Sequence, residues 1–573
     1  MVASSIRRYL ADKGSVVSAL HVAVALACIV ASERLALGAG LVMVEVQQDG
    51  VGGVDGIGGA ARAVLSPDGL NLYVTAVSDA ALAVFGRDPG TGRLRFVEAL
   101  RDGVDGIMGL HAASPLAVSP DGRYVYAGGY DSNALSAFER DPATGALSVV
   151  QIVREGIGGI EGLSSMQGLA MSPDGESLYV VSYEVAVFRR DATTGLLTFV
   201  ETQENGAAGV DGLVNPASAT VSPDGAHVYV ACTTGGNAVV VFQRDITTGA
   251  LAFVEVQRDG VGGVDGLAQA SNVAVSPDGT HAYVTGAADN AVALFDRDSL
   301  TGHLGFVEVQ RDGVGGVEGL IGADTVTVSP DGTYVYVGAY GGSGATMFVR
   351  DPVTGRLTFV QATAPDLDGS ILVSADGRYV YTSSYLGHVT VFRPFTLACS
   401  SAPAGGCRPP TPGKSSIGLQ DRVDAADDQL TWKWTGPSMS ATDFGDPRSA
   451  SDYALCVYDA SAASQPVVGA VAPAGSGCRG NRPCWRATSN TGFKAADKDG
   501  RPQGLVQVVL KQGSSGQAKI VIKGKGPNLH LPSAPPLLPL RIQLQRSDVP
   551  VCWEATFSAA IIDEPGHLKA TSD

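Results

Sequence analysis

The tetrapeptide Ser-Pro-Asp-Gly begins at Ser66, Ser119, Ser172, Ser222, Ser276 and Ser329, and a variant reads Ser374-Ala375-Asp376-Gly377, so a unit of about 50 residues recurs seven times. A tyrosine stands seven residues after each serine, at Tyr73, Tyr126, Tyr179, Tyr229, Tyr283, Tyr336 and Tyr381. A phenylalanine follows in an alternating run, at Phe85, Phe138, Phe188, Phe242, Phe295, Phe348 and Phe392. A period of this size constrains the chain to an array whose units bury their apolar faces against one another.

The fifth copy shows what one unit is. Alternation of apolar and polar residues marks strands at Asn272 to Ser276, His281 to Gly286, Ala291 to Asp296 and Leu304 to Gln310. Pro277-Asp278-Gly279, Asp289-Asn290 and Thr301-Gly302 supply the turns between them. The unit is a four-stranded antiparallel blade, with Tyr and Phe filling the space between blades. Six copies carry an Arg-Asp pair and then Thr-Gly before the fourth strand, from Arg87, Arg140, Arg190, Arg244, Arg297 and Arg350. The seventh reads Arg393-Pro394 and has three strands of its own. Its fourth is expected from Leu41 to Gln47, which matches Leu251 to Gln257. Residues 41–395 therefore read as an all-β, seven-bladed β-propeller closed by an N-terminal strand, with no open edge.

These repeats resemble the lactonase-type seven-bladed propellers, which also carry Ser-Pro-Asp-Gly followed by Tyr-Val, and the related YVTN-type surface-protein repeats. The resemblance covers residues 41–395 and implies the fold. It implies less about activity, because the matching residues are turns and packing positions. The family holds enzymes that open sugar lactones and proteins with no assigned chemistry, and no catalytic motif of the lactonases is matched here residue by residue.

The flanks differ. Arg7, Arg8 and Lys13 precede an apolar run from Val16 to Ala31, so residues 1–38 read as a signal peptide and the protein as extracytoplasmic: secreted, periplasmic or at the cell surface. The run is short for a stable membrane span. Cys28 after Ala25-Leu26-Ala27 loosely resembles a lipoprotein box. Residues 396–415 read as a Pro/Ser/Gly linker. Residues 416–573 hold all four tryptophans and short alternating stretches, which suggest a β-sandwich-like domain. Cys399, Cys407, Cys456, Cys478, Cys484 and Cys552 are even in number, so disulfides are expected in preference to zinc, with Cys399–Cys407 as the local pair.

The net charge of −17 excludes a nucleic-acid partner, whose phosphates need a basic surface. Between blades, Asp259-Gly260-Val261-Gly262-Gly263-Val264-Asp265 recurs from Asp49 and, with substitutions, from Asp102, Glu155, Glu204 and Asp312. Asp49, Asp55, Asp259 and Asp265 are thus candidate oxygen ligands for Ca2+, against the alternative that they cap tight turns. Because one active site needs residues that other blades lack, the exceptions to the repeat are the catalytic candidates. They are Arg62, His111, Gln167, Asn215, Asn272, Asp324 and Asp368, of which His111, Arg62 and Asp368 come from neighbouring blades. Histidine would serve as the base or nucleophile-positioning group and arginine as the cation for a developing oxyanion. Tyr130, Tyr183, Tyr340 and Tyr385 recur eleven residues after the motif serine, on the face where the acidic interblade loops emerge, and either form an aromatic rim suited to a sugar or serve interblade packing. The regularity of the repeats favours a monomeric binding or surface-interaction scaffold, with a glycan, a small-molecule lactone or a cell-surface protein as partner. The alternative is a lactonase-family hydrolase opening a sugar or related lactone.

Overall fold

In the computed structural model the described residues are 40–573, except 341–343, 364–369 and short stretches beyond Phe395. The expected signal segment, Cys28 and Asp368 lie outside them. Seven four-stranded antiparallel sheets follow one another in chain order, and the innermost strands are Ala60–Leu65, Ala113–Val118, Gly168–Met171, Pro216–Val221, Ala270–Val275, Ala323–Val328 and Ile371–Val373. The ring closes as the repeat requires. The N-terminal strand Gly40–Gln48 pairs antiparallel with His388–Phe395, with Leu41 opposite Pro394 and Gln47 opposite Val389.

The repeated residues build the seams between blades. Each Phe packs edge-on against a phenylalanine of its own fourth strand where one is present, as in Phe85 on Phe96 with ring centroids 5.7 Å apart. Each Tyr except Tyr336 sends its hydroxyl to the Thr-Gly turn of the next blade, as Tyr283 does to the Gly355 carbonyl at 2.7 Å. The six arginines, read in the sequence as part of a turn signature, are buried clamps. Arg350 donates to the Tyr283 hydroxyl at 2.9 Å, to the Gly332 carbonyl of its own blade at 3.2 Å and to Asp278 of the preceding blade at 2.7 Å. The Ser-Pro-Asp-Gly turn thus has two tasks. Its serine and backbone amides hold the aspartate, as Ser276 and Thr280 hold Asp278, and the aspartate holds the next blade's arginine. Gly279 at φ +72 makes the turn sterically possible.

Beyond the propeller, an eight-stranded sheet and a four-stranded sheet enclose one core, with Trp432, Trp434, Leu455, Ile520, Leu544 and Trp553 buried in it. The sandwich expected from Leu430 to Trp434, Tyr453 to Tyr458, Leu505 to Leu510 and Ala518 to Ile522 is present, each stretch lying within a strand. The local Cys399–Cys407 pairing is overturned. Cys399 is bonded to Cys456 and Cys407 to Cys552, so the linker is stapled at two points onto the sandwich instead of closing on itself. Cys484 is also disulfide-bonded, while the Cys478 side chain lies outside the described residues. Such bonds persist in oxidising compartments, which fits an extracytoplasmic protein. The two domains are joined directly: Val42 and Phe395 of the closing blade pack with Ala454, Tyr458 and Val471, and Arg393 pairs with buried Asp452. Among the described residues no helix is long and apolar enough to cross a membrane.

Candidate functional site at the axial mouth

A cavity of about 210 Å³ runs along the propeller axis. The residue four places before each motif serine faces it in turn: Arg62, Pro115, Gly168, Ser218, Asn272, Thr325 and Ser370. Six of these are small or neutral, and Arg62 brings a charge. Its guanidinium crosses the short inner strand of the seventh blade and meets Asp324 of the sixth, with Nη1 3.7 Å from Oδ2 and side chains 25% and 9% exposed. Asp324 Oδ2 has no hydrogen-bond partner among the described residues, so this is a loose ion pair between groups withdrawn from water. Burial raises the Asp324 pKa above the ordinary carboxylate range, opposed by Arg62 and by the approach of the Tyr340 hydroxyl. For Arg62, burial works against the charge, and Asp324, Tyr340 and Tyr385 outweigh it. Tyr340 and Tyr385 stack with centroids 6.1 Å apart beside the pair, both partly exposed.

Of the residues singled out in the sequence, Arg62, Gln167 and Asn272 line the cavity, and Asn272 Oδ1 accepts from the Val326 amide at 3.2 Å. His111 does not join Arg62. It is eight residues before its motif serine, on an exposed loop, with Nδ1 3.9 Å from Asp131. Asn215 is likewise spent on a loop contact, donating to the Thr234 carbonyl in the adjacent loop of its blade at 2.7 Å. The partner of Arg62 is therefore Asp324, and counting back from each repeated serine would have placed Arg62 on the axis and His111 off it.

The interblade loops do gather carboxylates. Asp49, Asp55 and Asp79 form one group and Asp259, Asp265 and Asp289 another, each with candidate oxygens within 4.8 Å. The first aspartate of each loop holds the chain, however: Asp49 Oδ1 accepts from the Ile57 amide at 3.1 Å and Asp259 Oδ1 from Leu267 at 3.0 Å. In the fourth loop the acceptor of the same bond is Asn205 Oδ1, which takes the Leu213 amide at 3.1 Å and stands one residue beyond the Glu204 assigned from the sequence. The second aspartate already has a cation, since Arg101 lies 2.6 Å from Asp55 and Arg311 2.6 Å from Asp265. That hydrogen bond and charge hold the Asp265 carboxyl below the ordinary range. A calcium ion would have to displace these arginines.

The third blade breaks this arrangement. Glu204 replaces the arginine, and Glu155, Glu161 and Glu184 replace the aspartates. Burial, with Glu204, Glu155 and Glu161 close by, raises the Glu184 pKa.

Compared with known proteins, residues 38–156, 168–261 and 256–367 match the family model described as Lactonase, 7-bladed beta-propeller, which is more than half of the chain. No curated protein sequence matches. Among solved structures, the chain is similar to a putative 6-phosphogluconolactonase from Bacteroides uniformis at 20% identity and a TM-score of 0.44, covering 57% of this chain and 97% of that one. It is similar also to the Pseudomonas aeruginosa periplasmic gluconolactonase PpgL at 21% identity and 0.44, covering 57% and 96%.

Proposed function

The chain belongs to the seven-bladed lactonase propeller family, and from that premise we propose that it is an extracytoplasmic hydrolase that opens a lactone at the axial mouth. The observation that carries this reading is the Arg62–Asp324 couple, a charged pair that breaks the repeat and whose Arg62 lines the axial cavity. Arg62 would draw electron density from the lactone carbonyl oxygen and stabilise the oxyanion formed when water adds to the carbonyl carbon. Asp324, made more basic by burial, would take the proton of that water and return it to the ring oxygen as the acyl carbon–oxygen bond breaks. The product is one hydroxy acid per water consumed. The cavity, below the size of drug-sized pockets, suits a single small ring.

A panel of sugar and acyl lactones assayed with the full chain tests this. Arg62→Met and Asp324→Asn are expected to lose about 100-fold or more in kcat, and His111→Ala to retain activity. The acid limb of the wild-type profile should lie above the ordinary carboxylate range. No turnover across the panel, with saturable glycan binding, would return the propeller to a binding scaffold.

A further inference from the structure

At six of the seven seams a guanidinium faces the same frame: Oδ2 of the preceding blade's motif aspartate, the hydroxyl of its repeated tyrosine and the carbonyl of the arginine's own motif glycine. All six donate to that carbonyl, and Arg87, Arg190, Arg297 and Arg350 also donate to the tyrosine hydroxyl, whereas Nε of Arg140 and of Arg244 does not. The Asp Oδ2 distances are 2.7 Å for Arg140, 2.6 Å for Arg190, 2.8 Å for Arg244, 2.9 Å for Arg297 and 2.7 Å for Arg350. Arg87 closes the ring from blade one to blade seven, 3.7 Å from Asp376. At two seams the guanidinium also lies over the aromatic residue five places after the motif serine: Arg190 over Tyr124 at 5.2 Å and Arg87 over Tyr379 at 5.3 Å.

Between blades six and seven the frame is present and the arginine is not. Pro394 stands at its position, two residues after Phe392, because the seventh blade borrows its outer strand from the N-terminus. The Tyr336 hydroxyl, fully buried, has no hydrogen-bond partner among the described residues. Asp331 Oδ1 is occupied by Ser329 at 2.6 Å and the Thr333 amide at 3.0 Å, which leaves Oδ2, the oxygen that takes arginine elsewhere. Burial would raise the Asp331 pKa, but these bonds prevail and hold the carboxyl below its ordinary value, so it is charged at neutral pH. Tyr334 is the aromatic residue at position five, and it is half-buried where Tyr124 and Tyr379 are 2% and 3% exposed.

We infer that this seam is a binding site for a guanidinium group supplied from outside the chain, held by Asp331 Oδ2, the Tyr336 hydroxyl, the Tyr334 ring and the Gly377 carbonyl. The planar, multiply donating guanidinium suits a carboxylate, a hydroxyl and an aromatic face together, whereas an ammonium is a point charge with stronger hydration. The source is either a small guanidino compound or an arginine side chain presented by a partner.

The probe is N-methylguanidinium, with methylammonium at equal ionic strength as control and the peptide acetyl-Gly-Arg-Gly-amide as the second arm, read as melting temperature of the full chain. The expected result is a saturable rise with methylguanidinium and about a tenfold weaker response to methylammonium. Asp331→Asn, a change at a partly exposed carboxylate, should abolish the response. Pro394→Arg should place a guanidinium in the frame, raise the melting temperature and make the protein insensitive to the probe. A response to the peptide as strong as to the free cation would assign a partner's arginine, and a response to the free cation alone would assign a small molecule. Absence of a saturable rise in the wild type, or its survival in Asp331→Asn, would overturn the site.

Discussion

Two chemically identical substitutions should act in opposite directions at two seams. Tyr283 and Tyr336 are both fully buried at the same position of their repeats. The Tyr283 hydroxyl donates to the Gly355 carbonyl at 2.7 Å and accepts from Arg350 Nε at 2.9 Å. Tyr283→Phe removes both bonds and leaves a buried carbonyl and a buried cationic N–H each short of a partner. With about 1 kcal/mol for the neutral bond and about 1.5–3 kcal/mol for the bond to a charged group, the loss is about 2.5–4 kcal/mol. The Tyr336 hydroxyl makes neither bond, so Tyr336→Phe removes a group that was dehydrated without compensation and should stabilise by about 1 kcal/mol. The assay is urea unfolding followed by far-UV circular dichroism. All four tryptophans lie in the C-terminal domain and report on that domain instead, and guanidinium chloride is avoided because its cation is itself a candidate ligand. The midpoint should fall for Tyr283→Phe and hold or rise for Tyr336→Phe. Equal losses would refute the clamp argument, since packing alone treats the two rings alike.

Deleting Leu41 to Gln47 exposes the outer edge of His388–Phe395 and removes Val42 from the contact with the sandwich, so the melting temperature should fall markedly, and an unchanged curve would contradict ring closure. Glu204→Arg restores the cation that Arg101, Arg258 and Arg311 provide elsewhere and should stabilise the fold by up to about 1 kcal/mol at neutral pH, with the gain shrinking as salt is added. His227 and His281 are held below the usual histidine pKa by burial and by Arg297 and Arg350 respectively. The folded state therefore binds fewer protons than the unfolded one, and stability present above about pH 6.5 is lost as pH falls through the lowered pKa values. Replacing both histidines by asparagine, the residue that occupies this place as Asn71 and accepts from Arg140 at 2.6 Å, should remove that slope and leave the one below about pH 4 from the motif aspartates. Calcium should leave the melting temperature unchanged, because Arg101 and Arg311 already neutralise Asp55 and Asp265; a calcium-dependent rise would show that the ion displaces them.

What the sequence made legible was whatever repeats, because repetition turns a weak local pattern into a strong one. The blade, its turns and the closing strand were readable from Ser-Pro-Asp-Gly, tyrosine and phenylalanine alone. The buried arginines were visible as a pattern, but their task was not, since a clamp joins residues about 70 positions apart and spacing within one unit says nothing of its neighbour. The disulfides failed for a related reason. Chain proximity favoured Cys399–Cys407, whereas the sandwich brings Cys456 and Cys552 to the linker across separations of 57 and 145 residues. The site was half legible. Arg62 stood out by type, yet its partners were sought in the two adjoining blades, at His111 and at Asp368, which lies outside the described residues, and not two blades back at Asp324. A long guanidinium over a three-residue inner strand can skip a blade, and a ring lets the first repeat touch the sixth. The proposals rest on residues that depart from the repeat. Pro394 and Glu204 do so by withdrawing a cation from a frame built for one, and Arg62 by adding one where the other blades have none.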